Sequence, residues 1–98
     1  MDNTDIILNN MFKPYLAKKV RKAMNNPQKT ITKEVAHAYA FFLIILINKL
    51  KPNDVAPGGP LYDACGDALT YTMFRTFYKG ITLEKYERRL EEDGGLAI

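Results

Sequence analysis

From Val35 to Ile47 the chain reads Val-Ala-His-Ala-Tyr-Ala-Phe-Phe-Leu-Ile-Ile-Leu-Ile, without a single charge. At helical spacing this stretch is apolar on every face, and a helix of that kind is enclosed by protein or by lipid. At ~1.5 Å per residue it reaches about 20 Å, short of the ~30 Å hydrocarbon core of a bilayer. The pattern therefore predicts the central helix of a small helical domain, over about 33–51. Thr32 is its N-cap, Glu34 lies in its first turn, and Lys49 and Lys51 lie in its last.

Amphipathic segments flank this helix. Thr4 reads as an N-cap and Asp5 as a first-turn acid for a helix over about 4–12, with an apolar face from Ile6 to Phe12. Pro14 lacks a backbone N–H and pushes Lys13 toward extended geometry, so the first helix is broken or kinked there. Pro14 then opens a segment over about 14–25. It places Leu16, Val20, Ala23 and Met24 on one side and Lys18, Lys19, Arg21 and Lys22 on the other. Lys51 to Pro60 reads as a long loop.

A helix over about 60–79 has separable rows: Leu61, Cys65, Leu69, Met73 and Phe77 are apolar; Ala64, Ala68, Thr72 and Thr76 are small; a third row starts with Asp63 and Asp67. Gly80 then suits the position after a helix end. Thr82 caps a last helix over about 82–93, with Ile81 and Tyr86 spaced as a hydrophobic staple and Glu84 and Arg88 as an i,i+4 pair. Gly94-Gly95 stops it, so Leu96 and Ile98 fold back. No strand pattern alternates. The expectation is one all-α domain over 1–98, a compact bundle of four main helices around a fully apolar central helix.

Composition narrows the function classes. The chain has 98 residues, 26% of them charged, and a net charge of +3. That length is near the lower end of what buries a core without staples. Enclosing an all-round apolar helix with so short a chain is demanding, which leaves a homodimer open beside a monomer. One cysteine, Cys65, excludes an intrachain disulfide and a cysteine-based zinc site. The acidic, polar N-terminus shows no signal-peptide pattern, so a cytoplasmic protein is expected, with no membrane role.

Charge is uneven. Positions 6–33 hold seven basic side chains and no acid, whereas from Gly80 onward five acids face three bases. This suits head-to-tail self-association or an acidic partner.

No catalytic constellation emerges. His37, the sole histidine, reads as a structural residue of the apolar helix, since no nucleophile or orienting acid is signalled beside it. Cys65 falls on an apolar row, where a thiol is inert. Asp63 and Asp67 are too few for a metal site and suit the helix dipole. Gly58-Gly59-Pro60 lacks the spacing and the lysine of a phosphate loop. The expectation is a non-enzyme without cofactor or metal.

The second half, Gly59-Pro60-Leu61 through Ile81-Thr82-Leu83-Glu84-Lys85-Tyr86 to Leu90, resembles the final helical hairpin of bacteriocin immunity proteins. The resemblance covers under half the chain. It implies a small cytosolic antiparallel four-helix protein that protects a producer cell, although the apolar central helix departs from the more amphipathic pattern expected there.

The leading expectation is an interaction protein of inhibitor, immunity, antitoxin or adaptor type. It binds a protein with an acidic surface through a basic face comprising Tyr15, Lys18, Lys19, Arg21, Lys22 and Lys29. Nucleic-acid binding through the same face is the alternative, as is a structural, oligomerising subunit. Against a helix-turn-helix, the helix that follows the basic segment is the most apolar in the chain, unlike a recognition helix.

Overall fold

A computed structural model describes residues 3–55, 58–63, 66, 72, 77 and 80–96. The chain is mostly helical. Helix α1 spans Asn3–Met11, α2 Pro14–Asn25, α3 Lys33–Asn48 and α4 Leu83–Glu92, with a 3₁₀ turn at Pro52–Asp54. Between positions 60 and 79, Tyr62, Asp63, Gly66 and Thr72 are helical. The rest of that predicted helix, including Cys65, Asp67 and most of its three rows, lies outside the described residues.

Helix α3 is the centre of the core. Val35, Ala36 and Ala38 to Ile45 are buried, and α1, α2 and α4 all touch it. Leu8 comes in from α1, Ala17 and Val20 from α2, and Leu83, Tyr86 and Leu90 from α4. The enclosure ends one turn early. Leu46 and Ile47 are 43% and 55% exposed, so the fully apolar sequence does not become a fully buried helix. The Cα radius of gyration, 12.4 Å, matches a closely packed chain of this length (about 13 Å for 100 residues).

Both predicted threonine caps form. Thr32 Oγ1 accepts from Val35 N–H and Thr82 Oγ1 from Lys85 N–H, each at 3.3 Å. An N-cap residue must be extended, and these two extended helix starts lie side by side. Thr30–Ile31 (β1) pairs antiparallel with Ile81–Thr82 (β2), Thr30 opposite Thr82 and Ile31 opposite Ile81. This short ladder corrects the strand-free expectation. Pairs two residues long leave no alternating pattern to read. Glu84 N–H, donating to Pro27 O at 3.0 Å, continues the tie.

Helix ends differ in detail from the sequence reading. Helix α1 begins at Asn3, placing Thr4 in the first turn instead of at the cap. Helix α2 begins at Pro14, as a residue without an N–H allows. Helix α3 stops at Asn48, so Lys49 and Lys51 lie beyond it. Lys49 adopts the left-handed conformation (φ 53°), and its N–H and that of Leu50 both reach Ile45 O. Helix α4 closes with Gly94 at φ 70°, Gly94 N–H on Glu91 O and Gly95 N–H on Leu90 O. Leu96 does fold back and is buried. Asn48 Nδ2 holds it there, donating to Ile44 O at 3.0 Å and Leu96 O at 2.8 Å.

A second polar tie joins α3 to α4. The Tyr39 hydroxyl donates to a Glu87 carboxylate oxygen at 2.8 Å. Burial, that hydrogen bond and the charges of Glu87 and Glu91 hold the phenol far above its ordinary range, so it stays a neutral donor. Thr72 Oγ1 likewise donates to Asp93 Oδ2 at 3.0 Å, linking the segment before Gly80 to the end of α4.

Candidate functional site

The basic face develops from α2. Its buried side, with Ala17 and Val20, rests in the core, which turns the opposite side to solvent. Tyr15, Lys18, Lys19 and Lys22 lie at i, i+3, i+4 and i+7, one stripe, and all four are exposed. Lys19 Nζ sits 5.6 Å from the Tyr15 ring centroid, a cation–π contact, and 4.0 Å from a Glu34 carboxylate oxygen. Arg21 is placed differently from its neighbours. It is half-buried on the flank of the stripe, with Nε 3.5 Å from Asp5 Oδ1, and this pair joins α2 to α1.

Lys29 comes from the loop after α2. With Lys19 and Lys22 it lines a cleft of about 270 Å³ whose walls include Ala23, Asn26, Ile31 and Val35. The start of α3 forms part of this cleft through Thr32, adding the positive end of a sixteen-residue helix to three ammonium groups. The lysines are visible in the sequence and the concavity is not. A loop and a two-residue strand create it, and neither leaves a periodic signal.

Among the described residues, no acid forms an ion pair with Lys18, Lys22 or Lys29. Most acids of the C-terminal helix are matched: Arg88 lies 3.5 Å from Glu84, Arg89 lies 3.4 Å from Glu92, and Glu87 accepts from Tyr39 of α3.

The Gly59 backbone packs closely against the Asn53 and Asp54 backbone of the 3₁₀ turn. Asp63 is exposed. Among the described residues no group of three histidine, cysteine or acidic side chains is arranged to hold a metal. None of their helices is long and apolar enough to cross a membrane.

The chain matches no family model, no curated protein and no solved structure. The likeness to immunity proteins therefore rests on the quoted residues alone.

His37 is half-buried, edge-on to Phe41 with ring centroids 4.7 Å apart. It lines a second cavity, where α1, α2 and α3 meet the 3₁₀ turn. Burial lowers its pKa below the ordinary 6.5. The unfolded chain thus binds this proton more readily than the folded one. The stability His37 contributes is fully present above about pH 6.5 and falls as the pH drops below it. Between about pH 7.5 and pH 5.5, His37→Gln is expected to lose less urea resistance than the parent chain. Equal losses in both would show that His37 is not the group responsible.

Proposed function

We propose that this chain is a small non-enzymatic interaction protein that docks its α2 face on the acidic surface of another protein. The single observation behind this reading is the exposed stripe of Tyr15, Lys18, Lys19 and Lys22 running into the lysine-lined cleft, with Lys18, Lys22 and Lys29 not ion-paired to any acid among the described residues. Exposed lysines accelerate encounter with an acidic patch and set its register. Tyr15, 53% exposed beneath Lys19, supplies the amphipathic ring that anchors such contacts. Arg21, paired with Asp5, holds α2 in place at the margin of the face.

Self-association through opposite charges is less favoured, because a second copy would present an α4 in which Glu84, Glu87 and Glu92 already have partners. An inhibitor, immunity factor, antitoxin or adaptor fits this mode of action, as does cytoplasmic residence.

The test pairs the parent chain with the variant Lys18→Glu, Lys22→Glu, Lys29→Glu as baits in extracts of the native host. Proteins captured by the parent are expected to be acidic and to be lost from the variant. In titrations of a purified captured protein, affinity is expected to fall tenfold or more, on the order of 1.4 kcal/mol, with thermal stability nearly unchanged. Identical capture by both baits contradicts the reading. Random duplex DNA held at low salt and released steeply as salt rises would move the assignment to nucleic acid.

A further inference from the structure

The interruption between α1 and α2 opens a second concavity, away from the basic cleft. Helix α1 ends at Met11, and α2 cannot begin before Pro14, so Phe12 and Lys13 bridge a gap above the middle of α3. The result is a cavity of about 360 Å³, within the range of small-molecule sites (roughly 300–1,000 Å³) and near its lower end.

Its wall is aromatic. Phe41 and Tyr62 stack with centroids 5.9 Å apart and planes within 6°, and His37 meets Phe41 edge-on. A flat ring system fits such a wall by offset stacking. The residues with polar groups are Asn10, Lys13, Asn53 and the two tyrosines, Tyr15 and Tyr62, which join His37 around the lining. Among the described lining residues none is acidic and Lys13 alone carries a full charge. His37 brings to this lining an imidazole that, when neutral, carries one donor and one acceptor.

We propose that this cavity binds a small aromatic carboxylate, its one or two fused rings against Phe41 and Tyr62 and its anionic end among Lys13, His37 and Asn53. The chemistry of the lining selects each part. The stacked rings favour a planar apolar body over a puckered one. The lone cation and the absence of a described acid favour an anion over a neutral or cationic head. The volume accommodates a body of one or two fused rings. This site does not depend on the docking face, although Tyr15 borders both.

The experiment uses 1-naphthoate with the full chain, read by saturation-transfer NMR and isothermal titration. Its comparators are 1-naphthamide, which keeps the rings without the charge, and cyclohexanecarboxylate, which keeps the charge without the flat ring. Binding in the millimolar range or tighter is expected, with each comparator about fivefold or more weaker. Lys13→Gln, at an exposed position, should remove the preference for naphthoate over naphthamide. Asn10→Trp, an exposed α1 position on the lining, should fill the mouth and abolish binding while the circular dichroism stays that of the parent. The triple lysine variant of the docking face should bind 1-naphthoate as the parent does, which separates the two proposals. No binding at several millimolar, equal binding of the comparators, or undiminished binding by Asn10→Trp would overturn the assignment.

Discussion

Phe42→Ala is expected to destabilise the protein by about 3–5 kcal/mol, because removing a fully buried aromatic side chain loses its transfer energy and leaves a cavity that neighbours fill only in part. Domains of this size are stable by roughly 5–15 kcal/mol, so the variant loses between a fifth and all of its stability. Four or five residues further along the same helix the expectation reverses. Leu46→Ala and Ile47→Ala, at 43% and 55% exposed positions, should each cost less than about 1 kcal/mol. Urea denaturation of the three variants measures the contrast. If Phe42→Ala does not fold, Phe42→Leu, expected at about 1–2 kcal/mol, takes its place. Equal costs at Phe42 and Ile47 would mean that the chain does not enclose α3 in the way its burial describes.

Gly59→Ala is expected to cost about 2–3 kcal/mol, for a reason unrelated to the core. A Cβ at this position would fall on the Asn53 carbonyl oxygen and 2.7 Å from that of Asp54, both backbone atoms fixed by the 3₁₀ turn. That turn is held by Asp54 Oδ2 accepting from Lys51 N–H at 3.1 Å and by Asp54 O accepting from Leu61 N–H at 3.0 Å. No flexible side-chain tip is there to yield, so the chain must shift. The adjacent Gly58 has open space but a φ of 86°, and Gly58→Ala should cost only the left-handed penalty, about 1 kcal/mol. Comparing the two unfolding midpoints separates close approach from backbone strain. A neutral Gly59→Ala would remove the turn as a packing element.

What was legible in the sequence is whatever a local rule encodes. Thr32 and Thr82 cap because a hydroxyl before an apolar run can satisfy the third amide beyond it, and both do. Gly80 takes a positive φ of 77°, as a residue between segment end and strand must. The α2 face divides as its 3.6-residue period requires. Contacts joining residues far apart in the chain leave no such trace. Tyr39 and Glu87, or Asn48 and Leu96, are 48 positions apart, and nothing near either residue announces the other. Lys49 took the left-handed turn that a glycine ordinarily marks. Composition said that α3 needed cover and could not say where the cover stops, so the exposure of Leu46 and Ile47 came only with the fold. The candidate site divides the same way. Lys18, Lys19 and Lys22 are visible as a helical face, while Lys29 comes from a loop and both concavities arise where separate elements meet.

Native-state amide hydrogen exchange reports how often each turn of α3 opens to water, and so whether α3 is enclosed. The amides of Ala40 to Ile45 are expected to exchange slowest in the chain, at rates set by global unfolding, while those of α1 exchange faster through local opening. If Ala40 to Ile45 exchanged as fast as Ile6 or Ile7, α3 would not be the enclosed centre of this fold.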